Sequence, residues 1–202
     1  MKTTIETKAI FAASITAAQK DIRYYLQGVY VNFKTASRFT CAGTDGHMLF
    51  VGIGHIDEIE GNDDLTGLSL IIPNEAIKKM DKKKPYVSFE TLGDSRFIID
   101  DQIFTAIDAK FPDIGRVIPA TLDTSEIAPA QYNPEYLVRA QKALNTYYQN
   151  KAGTTYPLVQ RGNNCGIMHA GANDAQVVIM PIRDSIYDKN VGTAQPFNRD
   201  YL

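Results

Sequence analysis

The sequence predicts an α+β fold in which one unit, consisting of a strand, a helix and three further strands, is repeated. Three observations indicate this fold. Three segments carry apolar residues at helical spacing, each is followed by short β-rich runs, and turn-forming dipeptides separate those runs. The units follow one another at a spacing of about 60 residues, which indicates an internal repeat.

The first unit begins with a helix, and the strand that should open the unit is barely present. We predict the helix over residues 8–22, where four apolar side chains share one face: Phe11, Ile15, Ala18 and Ile22. Three runs with strand character follow, over residues 24–33, 38–42 and 48–52. Asp45-Gly46 separates the last two runs and predicts a hairpin, because a type I′ turn needs positive φ.

The second unit opens with a β-rich run over residues 68–72. Asn74 is predicted to cap a short helix in which Ile77 and Met80 point inward, and Pro85 ends that helix. The strands of this unit are predicted over residues 86–90, 96–99 and 102–107, with turns at 93–94 and 100–101.

The third unit opens its helix at Asn133-Pro134, and three apolar residues form the inner stripe of that helix: Leu137, Ala140 and Leu144. Its strands are predicted over residues 157–160, 166–169 and 176–181. Residues 184–202 lie outside the repeat and are predicted to form a polar tail.

The composition is that of an ordinary soluble globular protein, with 44% apolar and 22% charged residues. No apolar run approaches the roughly 20 residues that cross a bilayer, and residues 1–7 lack the layout of a signal peptide. We therefore expect a cytoplasmic protein without a membrane partner. Cys41 and Cys165 fall outside metal-ligand spacing, and we expect both to be reduced, buried thiols.

The sequence contains no pattern that predicts catalysis. It has no Gly-x-Ser-x-Gly elbow, no Walker-type phosphate loop, and no His-x-x-x-His or Cys-x-x-Cys ligand pair. Cys41 and His47 could be paired as nucleophile and base, but no third group is predicted to orient them. We therefore expect no enzyme activity, no cofactor and no metal.

Charge is distributed unevenly along the chain. The net charge is −2, but the three segments with predicted helices are basic. Residues 1–23, 74–84 and 133–151 carry +2, +3 and +2, so the remainder carries −9. A solvated helix face and a surface for a polyanion are both compatible with this pattern.

Several motifs, in this order, resemble those of the bacterial DNA polymerase III beta subunit, the sliding clamp. They are residues 21–28, Thr-Asp-Gly-His-Met-Leu at 44–49, Phe-Pro-Asp at 111–113 with residues 116–119, and Met-Pro-Ile-Arg at 180–183. The resemblance implies a DNA-clamp fold, with sheets outside and helices on one face. It also implies a non-enzymatic DNA-replication processivity factor.

The resemblance also implies a domain organisation. Residues 1–119 match a complete clamp domain, the middle one, and residues 120–183 match the second half of the last domain. The tail, residues 184–202, departs from the family. Two copies of the third unit could form one composite domain about a two-fold axis, so we expect a homo-oligomer, a dimer or tetramer. The alternative is a monomer in which the half domain packs on the complete one.

A peptide-binding groove is the main functional site that the resemblance implies. In the family, the replicative polymerase and other partners insert a short motif of the Gln-Leu-x-Leu-Phe kind between the middle and last domains. The matching motifs place these residues in the groove: Leu26, Thr44, Gly46, His47, Leu49, Pro112, Arg116, Val117, Val178, Met180, Pro181 and Ile182.

Non-specific contact with duplex DNA is the second implied function. The residues expected to face DNA are Lys20, Arg23, Lys78, Lys79, Lys82, Lys83, Arg139 and Lys142. The alternative to a processivity factor is a non-encircling decoy or adaptor that binds the clamp-binding peptides of replisome proteins. Phage-encoded replication proteins could be of either kind.

Overall fold

Three α-helices and eleven β-strands make up the part of the chain that the computed structural model describes, residues 1–57, 63–119, 130–161, 165–171 and 173–182. The predicted tail, residues 184–202, lies outside the described residues. None of the helices in the described ranges is long and apolar enough to cross a membrane.

The elements follow the predicted order. The first unit consists of β1 (Lys2–Glu6), α1 (Lys8–Thr16), β2 (Gly28–Thr35), β3 (Arg38–Thr44) and β4 (Met48–His55). The second unit consists of β5 (Ser69–Pro73), α2 (Asn74–Lys79), β6 (Tyr86–Gly93), β7 (Arg96–Ile99) and β8 (Gln102–Thr105). The described part of the third unit consists of α3 (Pro134–Tyr148), β9 (Leu158–Arg161), β10 (Cys165–His169) and β11 (Ala175–Ile179).

Strand β1 is fully formed, so the prediction that the opening strand is barely present was wrong. Its five residues pair antiparallel with β6, and Thr3 and Ile5 are both buried. A short, threonine-rich segment gives a weak sequence signal, but a neighbouring strand satisfies its backbone groups and covers its inner side chains.

Helix α1 ends at Thr16, six residues before the predicted end. Ala17 has extended backbone dihedrals, φ −63° and ψ 146°. The Thr16 hydroxyl lies 2.8 Å from the carbonyl oxygen of Gly43, which joins the end of the helix to β3. Ile22, predicted on the inner face, is 99% exposed. A 3₁₀ turn, Tyr24–Leu26, replaces the start of the predicted strand 24–33.

The helix starts were predicted with mixed success. Asn133 caps α3 as predicted, because its side chain accepts a hydrogen bond from the N–H of Glu135 at 3.0 Å. Asn74 does not cap α2; it is the first helical residue, and its side-chain amide donates to the carbonyl oxygen of Ala18 at 2.8 Å. Pro73 takes the cap position with an extended backbone.

The strands form two antiparallel sheets. One has four strands in the order β1-β6-β7-β8, and the other has seven in the order β5-β2-β3-β4-β11-β10-β9. The opening strands of the first two units are exchanged, since β1 pairs with β6 and β5 pairs with β2. The third unit joins the first through the pairing of β11 with β4.

The two faces of the seven-stranded sheet carry different apolar clusters. One face packs with α1 and α3 in the main core and includes Phe50 and Val177. Their neighbours Leu49 and Val178 point to the opposite face, where they join Phe111 in a smaller cluster. This alternation follows from the pleat of the strands. Helices and the smaller cluster therefore lie on opposite sides of one sheet.

Both cysteines are buried, as predicted. Cys41 belongs to the main core and Cys165 to the smaller cluster, so the two lie on opposite faces of the sheet. Burial raises the pKa of the Cys41 thiol well above its usual value. Among the described residues, no group of three or more acidic, histidine or cysteine side chains could hold a metal ion.

Candidate functional site

A cavity of about 210 Å³ lies on the face of the seven-stranded sheet that is opposite the helices. It opens where β4 meets β11, and Leu49 and Val178 are paired across these two strands. Phe111, Ile114 and Val117 form another part of the lining and come from the segment that follows β8. The cavity is therefore mainly apolar and is built from all three units of the chain.

Nine of the twelve residues predicted for the groove line this cavity. They are Leu26, Thr44, Gly46, His47, Leu49, Pro112, Val117, Val178 and Met180. The other three are not among the lining residues: Arg116 is exposed and pairs with Asp113 at 3.4 Å, Pro181 is half-buried, and the N–H of Ile182 donates to the carbonyl oxygen of Gln131.

Six lining residues were not predicted for the groove: Arg23, Tyr25, Met48, Phe111, Asp113 and Ile114. Five of them lie inside the motifs that predicted the groove, and Ile114 directly follows one of them. Proximity in sequence was therefore the available signal. The directions of Tyr25 and Ile114 depend on the 3₁₀ turns Tyr24–Leu26 and Ile114–Arg116, which were not predicted, whereas Met48 lies on β4.

The turn between β3 and β4 forms one end of the cavity and is held by its own side chains. The Thr44 hydroxyl lies 2.7 Å from the carbonyl oxygen of Met48 and accepts a hydrogen bond from the N–H of Gly46 at 3.0 Å. Asp45 Oδ1 accepts from the N–H groups of His47 and Met48 at 2.9 and 3.1 Å. The predicted hairpin is confirmed.

The form of this turn differs from the predicted two-residue type I′ turn. Within it only Gly46 has positive φ, at +92°, and three residues separate the two strands. The Asp45 carboxylate accepts hydrogen bonds from two backbone N–H groups. In a shorter turn, these groups would have to bond to backbone across the strand pair. Such side-chain hydrogen bonds favour a single turn conformation, which is suited to a preformed binding site.

Arg23 closes the cavity beside this turn. Its guanidinium group pairs with Asp21, with a shortest distance of 2.7 Å, and donates to the carbonyl oxygen of Asp45 at 3.1 Å. A Cβ atom at Gly46 would lie 2.9 Å from two guanidinium nitrogens. The hydrogen bonds from Arg23 lower the pKa of the Asp21 carboxyl to about 2. Gly46 therefore satisfies both the positive φ and the close approach of Arg23.

Met180 lies at the mouth of the cavity. Its N–H donates to the carbonyl oxygen of His47 at 2.8 Å, which extends the β4–β11 pairing by one step beyond the strands. The Met180 residue is 36% exposed. The flexible thioether of Met180 at this open rim can adapt to different apolar side chains.

The His47 ring stacks on Tyr136 of α3, with ring centroids 5.8 Å apart and planes 14° apart.

The residues predicted to face DNA divide into two groups. Six lysines are exposed: Lys20, Lys78, Lys79, Lys82, Lys83 and Lys142. The two arginines form ion pairs, Arg23 with Asp21 and Arg139 with Asp45, and Arg23 also lines the cavity. Counting charges along the sequence could not reveal these pairs, because Arg139 and Asp45 are 94 positions apart.

Sequence comparison finds no family model and no curated protein that matches the chain. Solved structures do match. The DNA polymerase III subunit beta from Pseudomonas aeruginosa is 18% identical with a TM-score of 0.69, and the match covers 91% of this chain and 66% of that one. The DNA polymerase III beta chain from Streptococcus pneumoniae TIGR4 is 16% identical with a TM-score of 0.69, covering 91% and 65%.

A third match is the Helicobacter pylori beta clamp bound to a DNA ligase peptide. It is 15% identical with a TM-score of 0.67, and the match covers 90% of this chain and 65% of that clamp. The chain thus spans just under two thirds of the length of the clamps it matches. These likenesses confirm the predicted clamp fold.

Proposed function

Because the chain has the fold of bacterial sliding clamps, we propose that it is a clamp-like DNA-replication factor that recruits partner proteins through the cavity between β4 and β11. The observation that carries this proposal is the meeting of three remote motifs at one apolar cavity: the segments 44–49, 111–113 and 178–180 each contribute residues to its lining. The proposed ligand is a short peptide with leucine and phenylalanine anchors.

The chemistry of the cavity supports such a ligand. Leu49, Val178 and Phe111 form a buried apolar surface, and Met180 offers an adaptable contact at the mouth. Burying one leucine or phenylalanine anchor contributes about 1.5 to 3 kcal/mol, so two anchors supply about 3 to 6 kcal/mol of the roughly 6 kcal/mol that binding at tens of micromolar requires. The Helicobacter pylori clamp, which has the same fold, is bound to a DNA ligase peptide.

Peptide titration tests this proposal. A Gln-Leu-x-Leu-Phe peptide labelled with a fluorophore is expected to bind at tens of micromolar or tighter, and Met180→Ala is expected to weaken binding about tenfold by removing a rim contact. Ile103→Ala is the matched control, because Ile103 is 68% exposed on β8, in the other sheet. Absence of binding, or equal affinities for the two variants, would contradict the proposal.

We propose non-specific DNA contact as a second property, supported by the exposed lysines of α2 and the residues after it. Replacing Lys78, Lys82 and Lys83 with glutamine is expected to weaken duplex binding and to reduce its dependence on salt by about one unit of slope for each lost phosphate contact. The matched control replaces three exposed lysines outside the helices: Lys2, Lys34 and Lys110. Equal losses in both triple variants would indicate no dedicated DNA surface.

We propose further that a second copy of the chain packs against the third unit. In the first two units, the first strand after the helix pairs with an opening strand: β2 pairs with β5, and β6 pairs with β1. The corresponding strand of the third unit, β9, pairs only with β10 among the described residues. Six half-buried apolar side chains border the core in this unit: Tyr132, Tyr136, Leu137, Tyr148, Tyr156 and Leu158. A second copy would cover an edge that otherwise invites non-specific pairing.

The mass in solution tests this assembly. A chain of 22.4 kDa is expected to sediment as a dimer or tetramer at micromolar concentration. A monomer would contradict the assembly but not peptide binding, since every lining residue of the cavity belongs to one chain. A cavity that is complete within one chain favours a second candidate function, that of a non-encircling adaptor that binds peptides. Retention on circular DNA but not on linear DNA indicates encirclement, whereas a peptide-binding monomer released equally from both indicates the adaptor.

A further inference from the structure

Arg139 lies on α3, outside the cavity lining, yet its guanidinium group is tied to the turn that forms one end of the cavity. The side chain is 24% exposed, and Nη1 lies 2.6 Å from Asp45 Oδ2. The same guanidinium group donates to the carbonyl oxygen of Ile15 at 3.3 and 3.1 Å, through Nε and Nη2. Ile15 belongs to the last turn of α1, where a cation is favoured by the exposed carbonyl groups. Arg139 therefore joins two helices to one turn.

Asp45 links Arg139 to the cavity, because it also bonds to residues of the lining. While Oδ2 accepts from Arg139, Oδ1 accepts from the N–H groups of His47 and Met48. The carbonyl oxygen of His47 in turn accepts from the N–H of Met180. Three hydrogen bonds, linked through the Asp45 side chain and the His47 backbone, thus connect the helix side of the sheet to the mouth of the cavity.

Ring contacts make a second connection between the same places. The Arg139 guanidinium lies over the ring of Tyr136, 5.8 Å from its centroid, and the His47 ring stacks on the same Tyr136. Tyr136 is half-buried on α3. A cation held over an aromatic ring restricts both groups.

We propose that Arg139 is a positioning residue for the peptide cavity, which it shapes by holding Asp45 and thereby the segment from His47 to Met180. This inference rests on the proposed peptide function. It assigns Arg139 a role other than DNA contact, because the carboxylate of Asp45 and the carbonyl of Ile15 occupy one N–H donor on each of the three guanidinium nitrogens.

A double-mutant cycle tests the proposal. Arg139→Gln removes the charge, and Asp45→Asn keeps an oxygen for the turn while it removes the charge partner of Arg139. Each single variant is expected to bind the fluorescent Gln-Leu-x-Leu-Phe peptide about tenfold more weakly, and the double variant to be no weaker than either single one. Arg139→Lys is expected to recover part of the affinity, because it restores the cation without the planar fork.

Lys142→Gln is the matched control, since it removes one positive charge from the exposed side of the same helix. It is expected to leave peptide affinity unchanged. Equal affinities of wild type, Arg139→Gln and Asp45→Asn would overturn the proposal, as would additive losses in the double variant.

An NMR readout separates this inference from the peptide function. Arg139→Gln is expected to shift the amide resonances of His47, Met48 and Met180, and Lys142→Gln is expected to leave them in place. If no peptide binds but these resonances shift, the peptide function fails and the positioning role stands. If peptide binds and the resonances do not move, the positioning role fails. Should Arg139→Gln unfold the protein, Asp45→Asn and Arg139→Lys provide the same comparison.

Discussion

Gly46 is required both for the backbone conformation of the β3–β4 turn and for the close approach of Arg23 in the cavity. Its φ of +92° disfavours any residue with a Cβ atom, and that atom would press on the guanidinium of Arg23. We expect Gly46→Ala to cost about 1 to 2 kcal/mol of unfolding free energy and to weaken peptide binding by displacing Arg23. Urea denaturation and peptide titration measure the two effects.

Gly67 provides the control for this prediction. It has nearly the same φ, +89°, but a Cβ atom there would have no neighbour within 4 Å. Gly67→Ala is expected to show the backbone cost alone, with normal peptide affinity. If the two variants bind peptide equally well, the contact between Gly46 and Arg23 does not shape the cavity.

Asp100 makes stability depend on pH. The pKa of its carboxyl is lowered, first by a hydrogen bond from the N–H of Asp81 and then by the ammonium of Lys84. A carboxyl with a depressed folded-state pKa stabilises the fold above its unfolded value of 3.8, and that stabilisation is lost as pH falls through the folded-state value. We therefore expect the unfolding free energy to fall as the pH drops below about 4.

Asp100→Asn tests this dependence, because asparagine tolerates the positive φ of 49° at this position. The variant is expected to be less stable than wild type at neutral pH, and the difference is expected to shrink at acid pH. Asp101→Asn, an exposed neighbour with φ of 62°, is the control. Urea denaturation at a series of pH values gives the comparison, and a constant difference would contradict the prediction.

At the scale of single residues, local chemistry was predictable and distant partners were not. The turn at Asp45-Gly46 and the cap at Asn133 follow from rules that act over two or three residues. Asp45 also binds Arg139, 94 positions away, and no local rule predicts that pairing. The DNA-facing role of Arg139 stays a prediction, and the structure adds its ion pair with Asp45.

At the scale of elements, α1 packs on β3 with almost no space between the backbones. A Cβ atom at Gly43 would overlap the carbonyl oxygen of Ala13 in α1. Because backbone cannot rotate away as a side chain can, we expect Gly43→Ala to cost at least about 3 kcal/mol or to prevent folding. Gly115→Ala is the control, since its Cβ atom would meet only the Asp113 side chain at 3.3 Å. Thermal denaturation compares the two variants, and similar melting temperatures would contradict this packing argument.

Strands were predicted more reliably than helix ends. Alternation and turn dipeptides predicted β3, β4, β6 and β7 to within three residues of their observed limits. The end of α1 was missed because apolar spacing continues to Ile22 in the sequence, whereas the hydrogen bond from Thr16 to Gly43 and the extended backbone at Ala17 end the helix. Tertiary contact, which periodicity does not report, decided that boundary.

At the scale of the whole molecule, one sheet and one core join the third unit to the first. Val177 of β11 is fully buried and paired with Phe50 of β4. We expect Val177→Ala to cost about 2 kcal/mol and to lower the stability of the first and third units together, in a single unfolding transition. Hydrogen exchange resolved by segment measures this, with Val138→Ala, exposed by 66% on α3, as the control. Loss of protection in β9 to β11 alone would contradict a shared core.

The clamp fold could be predicted because short motifs appear in the expected order, but the continuous seven-stranded sheet could not. Pairing between β4 and β11 joins Leu49 to Val178, and no periodicity within either strand indicates the other. The motifs predicted which segments would meet in the cavity. The 3₁₀ turns and the contacts of Arg23 and Arg139 determine how they meet.

The pairing of β4 with β11 also means that the cavity forms only after most of the chain has folded. Leu49 and Val178 are neighbours in the sheet although more than half of the chain separates them in sequence. During synthesis, a chain in which β4 has been made but β11 has not still lacks Val178 and Met180 from the cavity lining. If the cavity binds peptides as proposed, we expect only chains that have formed β11 to bind them.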